Sequence, residues 1–132
     1  MSRNTCYTYF RIIGHFPPDK VTEFLELTPD KATNEGDMLK SGRRAGVSSW
    51  VFGGCVEYNV YTENQMRVTV APLLDKIDRL NTIREKFDVE FYLQIVPTVH
   101  GNEPTPALAP PMDIIDFCYT TRTNIDIDLY VE

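Results

Sequence analysis

The chain lacks the features by which several large classes of protein are recognised from sequence. It has no run of about 18 consecutive apolar residues, the length that a membrane-spanning helix needs. Its N-terminus, MSRNTCYTYF, contains no apolar segment of signal-peptide length. The three cysteines, Cys6, Cys55 and Cys118, include no CxxC pair and lie in apolar segments, so we expect reduced core thiols rather than disulfides. These absences predict a cytoplasmic protein.

Residue types that carry chemistry are also scarce. His15 and His100 are the only histidines, and no HxxxH, HExxH or CxxC spacing places them or the cysteines as metal ligands. Neither a GxxxxGK[ST] phosphate loop nor a GxGxxG motif occurs. The formal net charge of −6 opposes binding to a phosphate backbone. We therefore predict no catalytic residue, no metal, no cofactor and no nucleic-acid partner, and the sequence leans away from an enzyme.

What is present indicates one globular domain spanning residues 1–132. Hydrophobic residues make up 42% of the chain and charged residues 24%, which is ordinary for a folded protein of this size. Seven Phe, seven Tyr and one Trp supply large side chains for a core. No repeat or linker divides the chain.

Hydrophobic periodicity predicts the element order β-α-β-α-β-α-β. The predicted elements are a strand at 6–13, a helix opened by Pro17-Pro18-Asp19, a polar loop at 30–47, one or two strands at 48–61 interrupted at Gly53-Gly54, a helix at 64–87, a strand at 89–96, a proline-rich loop beginning at Pro97, a third helix and a C-terminal strand. Pro72 kinks or breaks the long helix, and Asn81 marks a second break.

Apolar spacing also predicts which helical side chains are buried. The predicted core positions are Val21, Phe24 and Leu25 in the first helix; Met66, Val70, Leu73, Leu74, Ile77, Leu80, Ile83 and Phe87 in the second; and Met112, Ile115 and Tyr119, widened by Ile114 and Phe117, in the third. Trp50 is also predicted to lie in the core.

The C-terminal segment NIDIDLYVE decides the fold class. Ile125, Ile127, Leu129 and Val131 alternate with Asp126, Asp128 and Tyr130. Strict alternation is typical of a strand with one solvent-exposed face. We therefore predict an α+β two-layer sandwich with a mostly antiparallel sheet of four or five strands and two or three helices on one face, ferredoxin-like in general character.

Several short motifs in fixed order resemble a known family. They are TYFRIIG at 8–14, LTPDKA at 27–32, GD at 36–37, GRR at 42–44 leading to SSW at 48–50, and IDIDLYV at 125–131. This series resembles the small uncharacterised bacterial proteins catalogued as domain of unknown function 4279. Pro17 and the residues before Thr28 depart from the family pattern. The resemblance implies a bacterial α+β domain without established catalytic residues, and the occurrence of some such families beside toxin genes implies an immunity-like role.

Two groups of residues are candidate binding sites. Lys40, Arg43 and Arg44 form a basic group among glycines, a combination that binds anions but also occurs in solvated loops. The second group is an open sheet face carrying Tyr7, Tyr9, Asp126, Asp128 and Tyr130. Tyrosines on a sheet can stack nucleobases, but the glycine–aromatic pattern of RNA-recognition modules is missing.

The leading functional hypothesis is a non-enzymatic protein-interaction module of the immunity or antitoxin kind, with a basic, toxin-like protein as its partner. Its working parts are the open sheet face and the loop around Arg43 and Arg44. The alternative is a binder of, or enzyme for, a small anionic ligand, using the loop of Lys40, Arg43 and Arg44 with His100 as the acid–base group. A third hypothesis is that the chain binds a second copy of itself. Convergence of the basic loop and His100 on one enclosed pocket would favour the alternative.

Overall fold

The structure is a computed structural model that describes residues 4–54, 57–58 (backbone only), 61–101, 103–104 and 108–132. Within these residues the elements are β1 (Thr5–His15), α1 (Pro18–Leu25), β2 (Lys31–Thr33), β3 (Ser48–Phe52), β4 (Glu57–Tyr58), α2 (Thr62–Val70), a 3-10 segment (Ala71–Lys76), α3 (Ile77–Lys86), β5 (Asp88–Val99), α4 (Met112–Thr121), β6 (Thr123–Ile127) and β7 (Tyr130–Val131). No helix in this part of the chain is long and apolar enough to cross a membrane.

All described strands belong to one mixed sheet. The long strands β1 and β5 pair antiparallel at its centre, from Thr5 opposite Thr98 to His15 opposite Asp88. On one side β3 and β4 pair with β1, and β2 forms the edge beyond β3. On the other side β6 and β7 run parallel to β5. The predicted α+β class and the mostly antiparallel sheet are confirmed.

The parallel edge follows from the connection that contains α4. An antiparallel neighbour can be joined through a tight hairpin, whereas a parallel neighbour needs a longer crossover. The chain passes from β5 through a loop and α4 into β6, which therefore has the same direction as β5. Pro97, predicted in the loop, instead lies within β5, so that boundary was wrong.

Pro97 explains why the C-terminal strand is divided into β6 and β7. The backbone N–H of Asp128 donates to the Ile95 carbonyl, and that of Glu132 donates to the Val99 carbonyl. Alternate residues of a strand direct their backbone groups to the same side. The backbone of residue 97 therefore also points towards the C-terminal segment, but proline has no N–H to donate to it. The ladder is interrupted at this point, and β6 and β7 lie on either side of the interruption.

One layer of helices covers a single face of the sheet. Phe10 of β1 packs against Phe91 of β5 and Phe117 of α4, with ring centroids 5.5 and 6.4 Å apart. Trp50 of β3 is fully buried and donates from its indole N–H to the Thr22 hydroxyl of α1 at 3.0 Å. These contacts join α1, α4 and three strands in one core, and they confirm that Trp50 is a core residue.

The helix predicted at 64–87 is broken, as expected from Pro72. It consists of α2, the 3-10 segment containing Pro72, and α3. Proline removes an intrahelical donor and its ring clashes with the preceding turn, so the α-helix cannot continue through this position. The second break at Asn81 was wrong: Asn81 lies inside α3, where it accepts a hydrogen bond from Arg84.

Some predicted core positions lie on the surface. Phe24 and Leu74 are exposed, although Val21, Leu25, Met66, Val70, Leu73, Leu80 and Ile83 are buried. In α4 the prediction was right for Ile114 and Phe117 and wrong for the other three positions. Met112, Ile115 and Tyr119 are exposed, while Ile114, Phe117, Cys118 and Thr121 face the core. Both sets have helical spacing. The buried set contains a cysteine and a threonine, so hydrophobicity alone centred the predicted face on Met112, Ile115 and Tyr119 and gave Ile114 and Phe117 only its margin.

The segment predicted as a loop at 30–47 contains regular structure. Lys31–Thr33 form the edge strand β2, paired with β3. Residues 34–47, called the arm below, fold back on themselves through an antiparallel bridge between Met38 and Arg44. Three residues were too few for a periodicity signal, so the sequence did not indicate β2.

Candidate functional site

The sheet face opposite the helices carries the predicted aromatic and acidic side chains. On β1 the buried face contains Phe10 and Ile12, so the alternate residues Tyr7, Tyr9 and Arg11 lie on the opposite face. The Tyr7 and Tyr9 rings stack with centroids 5.9 Å apart and an interplanar angle of 13°. The predicted location of both tyrosines on one face is confirmed.

The acidic residues of the C-terminal strands are fixed beside these tyrosines. Gln94, which pairs with Tyr9 across the sheet, donates from its side-chain amide to an Asp126 carboxylate oxygen at 3.0 Å. The Tyr130 hydroxyl donates to Asp128 at 3.0 Å. We call the five residues Tyr7, Tyr9, Asp126, Asp128 and Tyr130 the tyrosine–aspartate patch.

The members of the patch influence one another electrostatically. The pKa of Tyr9 lies above its usual value, chiefly because the ring is partly desolvated; Arg11 opposes this rise, and Tyr7, Asp128 and Asp126 add to it. The pKa of Tyr130 is also raised, first by its hydrogen bond to Asp128. Both hydroxyls are therefore protonated donors at neutral pH.

The patch carries negative charge that is not neutralised within the described chain. Ion pairs described for this protein involve other acids, and no described cation lies within 4.0 Å of the Asp126 or Asp128 carboxylate. Tyr7 is 36% exposed and Tyr130 52% exposed. The patch therefore presents aromatic surface and two carboxylates that have no cationic partner among the described residues.

The arm is a hydrogen-bonded structure rather than an open loop. The Gly36 N–H donates to the Ala45 carbonyl and the Ala45 N–H to the Asp37 carbonyl, both at 2.8 Å. Gly42, with φ of +86°, forms the turn near its tip, where a side chain would be strained. These hydrogen bonds tie the two halves of the arm together.

The basic group of the arm is exposed to solvent. Lys40, Arg43 and Arg44 are all exposed, and the Arg44 guanidinium donates to the Gly36 carbonyl at 3.0 Å. Arg44 therefore supports the fold of the arm. None of the three side chains lines either cavity described below.

His100 lies far from the arm. Its ring pairs with Glu132 at 3.3 Å, and its backbone N–H donates to Asn4, which precedes β1. The arm is joined to the other end of β1 by the contact between His15 and Glu35. Since β1 has 11 residues, its ends are separated by roughly 35 Å. The structure does not bring His100 and the basic group together.

A cavity of about 450 Å³ lies between the arm and the open sheet face. We call it the arm groove. Arg11, Lys31 and Ser49 line it from the sheet, and Leu39 and Val47 line it from the arm. Sequence reasoning missed Arg11 and Lys31 as site residues, although a lone arginine in the apolar segment TYFRII was a signal for an outward-facing position.

A second cavity, of about 650 Å³, lies between α1 and α3 on the helical side. Its exposed Phe24 ring is covered by the Arg79 guanidinium, 6.0 Å from the ring centroid. Arg79 also pairs with Glu26 at 3.7 Å, and Lys20 pairs with Glu23 at 4.0 Å. The charges along this groove are thus largely balanced within the groove.

The described cysteines are core thiols. Cys6 and Cys118 are buried and form no disulfide, and desolvation raises the pKa of Cys118 to about 11. A thiol with so high a pKa is a poor nucleophile at neutral pH. Cys55 lies outside the described residues. Among the described residues no cluster of three or more His, Cys, Asp or Glu could hold a metal ion.

The chain matches a protein-family model over residues 4–132, nearly its whole length. No curated protein and no solved structure significantly matches the chain. The resemblance drawn from the short motifs is confirmed, and the chain belongs to the family described as Domain of unknown function (DUF4279).

Proposed function

We propose that the protein is a non-enzymatic interaction module of the bacterial cytoplasm, which binds a basic protein through the tyrosine–aspartate patch. The observation that most directly supports this proposal is that three tyrosines and two aspartates lie together on the sheet face opposite the helices. A cytoplasmic location suits its reduced thiols Cys6 and Cys118. An immunity protein that neutralises a basic toxin is the role that this charge and resemblance favour.

The residue types of the patch support protein binding. Tyrosine is enriched at the energetic centres of interfaces, because its ring buries a large area with little conformational freedom to lose and its hydroxyl forms a hydrogen bond. The Tyr7–Tyr9 stack and the Tyr130–Asp128 hydrogen bond order these side chains before a partner arrives. Preorganisation lowers the entropic cost of association.

The carboxylates support a basic partner. Asp126 and Asp128 add to the field of a chain whose net charge is −6, which attracts a cationic protein and speeds association. Their hydrogen bonds come from the neutral donors Gln94 and Tyr130, and no described cation pairs with either carboxylate. An Arg or Lys side chain of the partner could approach either carboxylate.

The experiment is a partner capture with matched charge-reversal variants. The double variant Asp126→Lys/Asp128→Lys should fold normally and lose partner affinity by more than about tenfold, because two attractive charges become repulsive. The control Glu85→Lys/Asp116→Lys makes the same change in net charge on α3 and α4, where both acids are exposed. Native mass spectrometry of complexes from the source cells identifies the partner, and calorimetry gives its affinity.

Two outcomes would contradict the proposal. Equal affinity of the patch variant and the wild type would remove the patch as the binding surface. An equal loss in the patch and control variants would show that only overall charge matters. Recovery of a homodimer without any second protein would instead support self-association.

A further inference from the structure

The arm groove contains two cations in register across the sheet. Arg11 of β1 and Lys31 of β2 both pair with Val51 of the intervening strand β3. Residues directly paired across a sheet project to the same face. Arg11 and Lys31 therefore flank Val51 on the open face, with their Cα atoms about 10 Å apart, two strand spacings. Long side chains at this separation can both contact one small ligand above Val51.

Neither cation is neutralised by the described part of the chain. Arg11 donates from Nε to the Ser49 hydroxyl at 3.3 Å, and no described carboxylate lies within 4.0 Å of Arg11 or Lys31. The acids of neighbouring strands and of the arm are otherwise engaged: Glu90 accepts a hydrogen bond from the Tyr92 hydroxyl, and Glu35 contacts His15.

The remaining lining is apolar and held in place. Leu39 and Val47 of the arm face the groove together with Val51 of its floor. The backbone of the arm is fixed by hydrogen bonds, including one from the Leu39 N–H to the Arg43 carbonyl at 2.7 Å. The Glu35 N–H also donates to the Ser48 hydroxyl at the start of β3, which joins the arm to the sheet. The groove is therefore preformed rather than created by a ligand.

We propose that the arm groove binds a small organic carboxylate with an apolar tail. The carboxylate lies between Arg11 and Lys31, with the Ser49 hydroxyl as a further partner, and the tail packs on Val47, Val51 and Leu39. A cavity of about 450 Å³ is within the usual range for small-molecule sites. This site differs from the sequence-based anion site at Lys40, Arg43 and Arg44. It shares the Tyr9 side chain with the tyrosine–aspartate patch, but its charged groups are Arg11 and Lys31 rather than Asp126 and Asp128.

The ligand class follows from the combination of charge and apolar surface. Arginine binds carboxylates with a bidentate fork, and an isolated inorganic anion would leave the apolar wall unused. A polyanion such as nucleic acid is disfavoured by the net charge of −6 around the groove. A single carboxylate attached to a short hydrocarbon matches both halves of the lining.

Hydrocinnamate is a suitable probe, with the neutral hydrocinnamamide and with acetate as ligand controls. Titration of isotopically labelled protein, followed by amide NMR, should shift the signals of Gly46, Val47, Ser49 and Val51 with hydrocinnamate. We expect the amide and acetate to bind at least about fivefold more weakly, since each lacks one half of the interaction.

Variants of the cations locate the site. Arg11→Gln and Lys31→Gln should each weaken hydrocinnamate binding by at least about fivefold, because each removes one charge-assisted contact. Lys40→Gln is the matched control, since it removes an exposed cation of the arm that does not line the groove. If Arg11→Gln unfolds the protein, Lys31→Gln on the exposed edge strand still tests the site.

The possible results of these titrations either support the proposal or overturn it. Shifts confined to the groove, with a loss in either groove variant and none in Lys40→Gln, support the proposal. Absence of shifts at millimolar hydrocinnamate, equal binding of the neutral amide, or an equal loss in Lys40→Gln would overturn it. Weak binding of acetate and hydrocinnamate alike would also overturn it, as an adventitious anion effect.

Discussion

Gly14 lies at a point where the backbone of the neighbouring strand β5 leaves no room for a side chain. A Cβ atom built at this position would lie 2.2 Å from the Asp88 carbonyl oxygen and 2.9 Å from the Val89 Cα. Both neighbours are backbone atoms of β5, so they cannot move aside as a flexible side chain could. The absence of a side chain at residue 14 is therefore a condition for pairing the ends of β1 and β5.

Gly14→Ala should lower the free energy of unfolding by about 2–4 kcal/mol, through overpacking and backbone strain at φ of +149°. The control is Gly46→Ala, since a Cβ at residue 46 would meet nothing within 4 Å. That change should alter stability by less than about 1 kcal/mol. Urea denaturation measures both variants, and equal midpoints would contradict the close-approach argument.

Single residues also show where sequence reasoning reached its limit at the candidate site. Alternation placed Tyr7 and Tyr9 on the outer face, and the same alternation applies to Arg11. A lone arginine carries no clustering signal in the sequence, because its partner Lys31 is brought beside it only by the pairing of β2 with β3. Buried Gln65 gave no signal at all: it donates to the Cys6 carbonyl at 2.6 Å and accepts from the Thr8 hydroxyl at 3.1 Å. A polar residue can be buried only where other groups satisfy its hydrogen bonds, and for Gln65 those groups are distant in sequence.

At the scale of elements, the sequence predicted correctly those features that depend on the covalent structure of a residue. It was less successful for features that depend on tertiary packing. Pro72 breaks the long helix because proline cannot donate, and this rule needs no tertiary information. The buried face of α4 depends instead on what lies beside it, and there hydrophobicity identified Ile114 and Phe117 but centred the face on residues that are exposed. The parallel direction of β6 depends on the path of the preceding loop and α4, which periodicity does not encode.

An exposed ion pair connects α2 and α4 within the helical layer. Arg67 of α2 donates from two nitrogens to the Asp113 carboxylate of α4, at 3.0 and 3.1 Å. This hydrogen bonding is the main reason that the pKa of Asp113 lies below its ordinary value of 3.8 and that of Arg67 lies above its own. Because the native pKa is depressed, the contribution to stability is present above pH 3.8 and is lost as pH falls through the native pKa.

Arg67→Gln should therefore raise the pKa of Asp113 towards 3.8, as measured by NMR titration of its carboxylate. The variant should be slightly less stable than the wild type at neutral pH, and this difference should vanish in acid once Asp113 is protonated in both proteins. The effect is small because the pair is exposed. A double-mutant cycle with Asp113→Asn supplies the control, and additive effects at neutral pH would show that the pair contributes no coupling.

At the scale of the whole molecule, charge is sorted between surfaces rather than spread evenly. The net charge is −6, yet the open sheet face carries acids at the C-terminal strands and cations at the β1–β3–β2 side. The overall sign thus describes the long-range field of the protein, which attracts cationic molecules in general, whereas each site is governed by its local groups. A sequence shows the sum of charges directly, but the separation of Asp126 from Arg11 and Lys31 follows from strand order.

The described core is continuous from β3 to α4, so we expect the chain to unfold as one domain. Phe117→Ala should lower the free energy of unfolding by about 3–5 kcal/mol, because it leaves a cavity beside Phe10. The same shift should appear in far-UV circular dichroism and in the fluorescence of Trp50, the sole tryptophan, which lies in β3. Tyr119→Ala, on the exposed side of α4, should change stability by less than about 0.5 kcal/mol. Separate transitions for the two signals would show instead that β3 and α4 belong to independently folding units.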